Sequence, residues 1–201
     1  MRNVLGIMAF VLLAGQAQSA GLAKSGFIER VMTVKNTGAS SMETSKLYWE
    51  GNNLRMEQYT TAGLVVNIRK GQVLYIYSPA EKKAVKTTIP AGQGGSVQQF
   101  IEKMSSPVKG AKKVGTATVI GIKCDVFSAS EKGSSAKLYI STDPRLPTLL
   151  KSQETSGALS RSVETKQLKL NYNVPDTMFS LPKGVTVKEE KFPTPPAAGK
   201  K

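Results

Sequence analysis

Histidine is absent from this 201-residue chain, and cysteine occurs once, as Cys124. Without histidine the commonest general base and the commonest metal ligand are missing. That excludes Ser–His–Asp hydrolases, Cys–His proteases and histidine-ligated metalloenzymes. A lone cysteine excludes an intramolecular disulfide framework and any Cys-cluster zinc or iron–sulfur site. Aspartate is scarce as well: Asp125, Asp143 and Asp176 stand far apart, and nothing pairs them for acid–base work. An enzyme using carboxylates alone is the one catalytic option left, and no metal or cofactor is expected. Long apolar runs are also lacking. The longest covers residues 4–14, about eleven residues, too short for the ~20 that cross a bilayer as a helix.

That run has a different use. Arg2 precedes it as a short positive region, and small residues follow it from Ala14 to Ala20. This is the layout of a secretory signal peptide, assigned to residues 1–20. Cleavage after Ala17 or Ser19 fits the small-x-small rule best. The tetrapeptide Leu12-Leu13-Ala14-Gly15 is followed by Gln16 where lipidation requires Cys. The sequence therefore predicts an exported, periplasmic protein without a lipid anchor, the alternative being a retained N-terminal anchor. Residues 21–192 form one β domain, and residues 193–201 (PTPPAAGKK), which have no period, form a disordered basic tail.

What is present from Phe27 onward is a period of two, punctuated by a turn signal every eight to twelve residues. Residues 45–50 set Leu47 and Trp49 against Lys46, Tyr48 and Glu50, and Gly51-Asn52-Asn53 turns into residues 54–59, which set Leu54 and Met56 against Arg55 and Glu57. Residues 27–34, 64–69, 73–77, 84–89, 113–120, 122–129, 136–141, 149–155, 163–172 and 185–189 read as strands too. The expectation is ten or eleven strands, nearly all joined to the next in sequence. So long an antiparallel meander twists, so it curls on itself or is covered. The fold class expected is mainly β: a strongly curved antiparallel sheet or incomplete β-barrel with a helical plug or lid on its concave face.

The helix follows Pro90-Ala91-Gly92-Gln93-Gly94-Gly95. Ser96 and Gln99 make a capping box, and Val97, Phe100, Ile101 and Met104 fall at i, i+3, i+4 and i+7, one apolar stripe. Gln98, Glu102 and Lys103 face away, and Ser105-Ser106-Pro107 ends it. At about ten residues it is too short to persist alone in water, so it exists only docked on the apolar sheet face. That face is read as including Leu47, Trp49, Leu54, Met56, Val66 and Ile68, with Leu64, Leu74 and Ile76 beside them. With Phe100, Ile101 and Met104 from the helix, the first six are the candidate ligand-binding residues. Two readings stay open: a plug completing an ordinary core, or a lid over a groove, hinged at Gly92, Gly94 and Gly95. The glycine stretch lacks the Gly-Lys-Ser/Thr ending of a phosphate loop.

The net charge is +14, or +13 once Arg2 leaves with the signal. In an exported protein this points away from nucleic acid and toward an anionic membrane surface or envelope polymer, or to plain solubility. Lys82, Lys83, Lys86, Lys103, Lys109, Lys112 and Lys113 against Glu81 and Glu102 make a basic rim beside the helix. Cys124, between Ile122 and Val126, reads as a buried apolar filler. Arg30 interrupts Ile28, Met32 and Val34, and an edge or rim position is expected for it. Asp143-Pro144-Arg145-Leu146-Pro147 reads as a turn.

Several stretches resemble a family. Leu54-Arg55-Met56-Glu57, Val66-Asn67-Ile68, Tyr75-Ile76-Tyr77-Ser78-Pro79 with Lys82-Lys83, and the late Val174-Pro175-Asp176-Thr177-Met178-Phe179-Ser180-Leu181-Pro182-Lys183-Gly184-Val185 resemble exported proteins of the outer-membrane lipoprotein carrier type (LolA/LolB-like). The resemblance implies an incomplete β-barrel whose concave face is plugged by helices and binds lipid or acyl groups. This chain departs from true carriers in its single lid helix and strongly basic charge. Two functions follow as expectations. One is a non-catalytic carrier or sensor of a lipid or lipoprotein acyl chain. The other is a structural or interaction module of the cell envelope with a full core. The oligomeric state is not legible.

Overall fold

Period-two patterning organises the chain into twelve strands in a single sheet. The structure, a computed structural model, describes residues 23–93, 95–103 and 110–192. The expected signal (1–20), Met104, Lys109, the tail (193–201) and the side chains of Gln98, Glu102 and Lys103 lie outside the described residues. The strands are β1 (Ser25–Asn36), β2 (Ala39–Glu50), β3 (Asn53–Thr60), β4 (Gly63–Lys70), β5 (Val73–Ser78), β6 (Lys83–Thr88), β7 (Lys112–Val119), β8 (Ile122–Glu131), β9 (Ser134–Ser141), β10 (Leu149–Ser156), β11 (Leu159–Leu170) and β12 (Thr186–Glu190). One helix, α1 (Val97–Lys103), separates β6 from β7, and a 3-10 turn (Asp176–Phe179) lies between β11 and β12.

The order across the sheet is β12-β6-β5-β4-β3-β2-β1-β11-β10-β9-β8-β7. Two sequence expectations are corrected here. The described residues form twelve strands, not ten or eleven. The sheet is open, with β12 and β7 as its outer members among the described strands, in agreement with a curved sheet that does not close into a barrel. It is also mixed, because β12 pairs with β6 in parallel while the other pairings are antiparallel. The simple meander fails at two long connections. After β6 the chain passes through α1 to the far edge at β7, and after β11 it returns through residues 171–185 to the first edge.

Those two connections cover opposite faces. Directly paired residues share a face and neighbours along a strand alternate. The register Ile28↔Leu47↔Met56 and Trp49↔Leu54 therefore defines one face. Val97 and Ile101 of α1 pack there, together with Leu146. The register Tyr48↔Arg55↔Ile68 and Glu57↔Val66↔Tyr77↔Ala84 defines the other. Val174 and Phe179 from the returning segment pack on it. A third, smaller apolar cluster of Val119, Cys124 and Leu150 lies near the β7 edge.

Candidate functional site

The helix forms as its sequence dictates. The Ser96 backbone N–H donates to Gln99 Oε1 at 2.8 Å, and the Gln99 N–H donates to Ser96 Oγ at 3.1 Å. This reciprocal pair satisfies two amide groups that the first helical turn leaves unbonded. Gly95 enters the helix at φ +55, and a Cβ there would lie 2.6 Å from Gln99 Oε1, so a side chain at this position would break the box. Arg69, from the helix-facing side of β4, donates through Nη2 to the Gly95 carbonyl at 2.6 Å and through Nε to the Gly71 carbonyl at 3.0 Å. Burial lowers the pKa of this guanidinium.

Below α1 the apolar residues close up. Ile28, Leu47, Trp49, Leu54, Val97, Ile101 and Leu146 form one buried cluster, with Met56, Phe100, Leu168 and Leu170 packed around it. Trp49 is 1% exposed, and its indole N–H donates to the Ala23 carbonyl at 2.9 Å. Of the nine residues expected to line a ligand site, the structure brings together Leu47, Trp49, Leu54, Met56, Phe100 and Ile101. Met104 lies outside the described residues. Val66 and Ile68 are corrected: both are fully buried on the opposite face, under Val174 and Phe179. Residues 54–59 and 64–69 alternate equally well, and the register that decides their faces pairs Met56 with Asn67, not with Val66. Leu146 is a core residue that the sequence pattern does not flag. The turn that holds it is built by Asp143, whose carboxylate accepts from the Arg145 backbone N–H at 2.9 Å and from its Nη2 at 2.7 Å. These bonds to Arg145 hold the Asp143 carboxyl below its ordinary range.

Arg30 is a second correction. It does not sit at an edge or rim, because β1 is an inner strand, flanked by β2 and β11. Its Nη2 donates to Thr148 Oγ1 at 3.0 Å and to the Leu149 carbonyl at 2.9 Å. Burial of the guanidinium lowers its pKa to about 10. Thr165, its cross-strand partner, and Ser152, on the same face of β10, are buried, and among the described residues their hydroxyls have no hydrogen-bond partner. The apolar cluster under α1 therefore ends on a buried polar strip. A groove of about 620 Å³ opens elsewhere, at the far ends of β8 to β11, lined by Ala129, Ala136, Glu154, Leu159, Arg161 and several hydroxyl side chains. Among the described residues no group of three or more His, Cys, Asp or Glu is placed to hold a metal ion. No helix among them is long and apolar enough to cross a membrane.

The class defined by this arrangement is an open, curved, mostly antiparallel sheet with a short helix on one face. The chain matches no protein-family model and no curated protein. Among solved structures, an uncharacterized conserved protein from Thermus thermophilus shares the fold. It aligns with a TM-score of 0.53 and 12% identity over 83% of this chain and 91% of that one. MucB in complex with MucA(peri) aligns at 0.48 and 14% identity, over 83% of this chain and 57% of MucB, so this chain spans little more than half of MucB. A LolA superfamily protein from Nitrosomonas europaea aligns at 0.38 and 11% identity, over 79% and 90%. At these identities the likeness is one of fold.

Proposed function

We propose that the protein is an exported, non-catalytic binding protein of the periplasm. It takes a lipid or lipoprotein acyl chain on the sheet face that α1 covers, and the helix leaves as the chain enters. One observation carries this reading: the cover over the Trp49 cluster is a seven-residue helix, below the length at which a helix is stable by itself. It stays in place through the burial of Val97 and Ile101, with Phe100 packed alongside. Full burial of such side chains contributes roughly 1.5–3 kcal/mol each. A sixteen-carbon chain on the same surface contributes about 13 kcal/mol gross, at about 0.8 kcal/mol per methylene. The exchange of helix for ligand is therefore favourable, and it keeps the apolar sheet surface out of water in both states. The strip of Arg30, Ser152 and Thr165 supplies a polar end for an amphipathic guest.

Organic extraction and native mass spectrometry of freshly purified protein test the proposal, paired with a titration of Trp49 emission by a lysophospholipid. Co-purified lipid and a saturable change in Trp49 emission are expected. Extraction without lipid, together with an unchanged melting temperature in lysophospholipid, refutes it. A second reading, an envelope interaction module with a full core, is favoured by the complete burial of Ile28, Trp49 and Leu146 against α1. The refuting outcome above is the result that this second reading requires.

A further inference from the structure

The half of the sheet farthest from β12 carries its charge asymmetrically. The register Lys151↔Tyr139 and Gln153↔Lys137↔Ser128↔Lys112 places Lys112, Lys137 and Lys151 on one face of β7 to β10. Lys137 and Lys151 both reach the ring of Tyr139, with Nζ at 5.7 and 5.6 Å from its centroid. On the same face the register Lys35↔Ser160 adds Lys35 from β1, and Lys166 projects from the irregularity in β11. Carboxylates on this face include Glu164, hydrogen-bonded to Lys166 at 2.5 Å, and Glu29 on β1, 3.7 Å from Lys46. On the opposite face of the same strands the signs are mixed: Lys113 pairs with Asp125 at 2.8 Å, and Arg161 approaches Glu154 at 3.9 Å.

The geometry points to this lysine face as a docking surface for an anionic phospholipid bilayer. Charge complementarity is the first argument. The second is shape. Lys112 and Lys137 are two strands apart, about 10 Å at the ordinary strand spacing, and Lys35 and Lys166 extend the array across β11 to β1. The cations therefore spread in two dimensions, which suits a charged plane better than a single linear polymer. The third is apolar. Met42, on this face beside the Lys35–Ser40 pair, is 67% exposed, and it can enter the headgroup layer where a soluble polyanion offers it nothing. This surface is distinct from the basic rim around Lys82 and Lys83, and the inference does not rest on the acyl-chain reading.

The test is co-sedimentation of the full chain with vesicles of equimolar phosphatidylglycerol and phosphatidylcholine, at low and high salt. Each lysine near an anionic surface strengthens binding by about fivefold. Lys112→Glu/Lys137→Glu/Lys151→Glu should therefore weaken it at least about a hundredfold. Lys70→Glu/Lys82→Glu/Lys83→Glu, with the same change in net charge, should retain it within a few-fold, since charges beyond the Debye length of about 10 Å are screened. The matching Lys→Gln triple, checked by circular dichroism for a native sheet, keeps the test valid should charge reversal unfold the protein. Equal losses in the two Glu triples, equal binding to pure phosphatidylcholine, or capture by soluble polyphosphate without capture by vesicles would each overturn the inference.

Discussion

Gly26 is the position where the candidate site is most exposed to a single atom. It lies directly opposite Trp49 across β1 and β2, and the indole is folded over it. A Cβ on residue 26 would stand 2.2 Å from both Cη2 and Cζ2 of Trp49, and 2.9 Å from the Lys169 carbonyl oxygen. Neither the backbone nor a fully buried indole has room to yield, so Gly26→Ala must turn Trp49 out of its slot. Overpacking of this kind costs about 1–3 kcal/mol, and losing the buried bond from the indole N–H to the Ala23 carbonyl adds about 1–3 kcal/mol. A total of about 2–6 kcal/mol lowers the melting temperature by roughly 4–24 °C in a domain of this size. Trp49 is the sole tryptophan, so urea unfolding followed by its emission reads both effects: a lower midpoint and a red-shifted native spectrum. The control is Trp49→Phe, which removes both clashing carbons. In that background the 2.9 Å approach to the Lys169 carbonyl remains, so Gly26→Ala should still destabilise by circular dichroism but by clearly less than in the wild type, a non-additivity between contacting residues. A Gly26→Ala protein with the wild-type midpoint and an unshifted spectrum refutes the reasoning.

Three further outcomes follow from the same contacts. Ile101→Ala removes a fully buried side chain from α1 and should cost about 2–4 kcal/mol. Amide exchange over residues 97–103 should accelerate while β3 and β4 stay protected, and uniform acceleration would contradict a locally detachable cover. Glu57, buried on the opposite face, accepts from Arg55 Nε at 2.7 Å and from the Tyr59 hydroxyl at 2.9 Å, so Glu57→Gln should cost about 1.5–3 kcal/mol by urea midpoint. Its failure to destabilise would show that the arginine, which also donates to the Met178 carbonyl, finds its place without the carboxylate. Lys86 bonds Glu189 at 2.6 Å between β6 and β12 and lowers the Glu189 pKa from the ordinary 4.5. A depressed carboxylate contributes stability above its unfolded value and loses it as pH falls through the folded one. Protection of the amides at 186–190 should therefore fall below pH 4.5, and fall again in high salt; a flat profile would remove the pair from the account of β12.

Where the sequence is legible, one local rule governs the outcome. Strand segments follow from alternation, and the helix start follows from Ser96 and Gln99, whose reciprocal bonds need only residues three apart. Cys124 follows in the same way, buried between its apolar neighbours. The early part of β2, residues 39–44, escapes the pattern, because Ala-Ser-Ser-Met-Glu-Thr puts an exposed Met42 where alternation looks for a buried residue. The faces of β4 are not readable either. Val66 and Ile68 are as apolar as Leu47 and Trp49, and only the pairing register assigns them to opposite sides of the sheet. Leu146 and Arg30 are hidden for a related reason. The first is delivered by a proline-bounded turn without periodicity. The second is charged, yet it lies in an inner strand because Thr148 and the Leu149 carbonyl, more than a hundred residues away, meet its guanidinium.

The two covers of the sheet are not equivalent, and the difference bears on which face the proposed acyl chain would enter. The returning segment 171–185 is tied into the sheet at both ends. The Asn171 N–H donates to the Ser25 carbonyl at 2.9 Å, and the Thr186 N–H donates to the Lys82 carbonyl at 3.0 Å, where β12 begins its parallel ladder with β6. Between these ends Arg55 holds the Met178 carbonyl. Removing that cover means unzipping a strand and orphaning backbone groups that no acyl chain can satisfy, at a cost of about 1–3 kcal/mol for each one left buried. Helix α1 carries its own backbone bonds with it when it moves. Its departure sacrifices the contacts of Val97, Phe100 and Ile101, and an aliphatic chain replaces those with contacts of the same kind. The acyl chain of the proposed function would therefore enter on the face of Trp49, not on the face of Phe179.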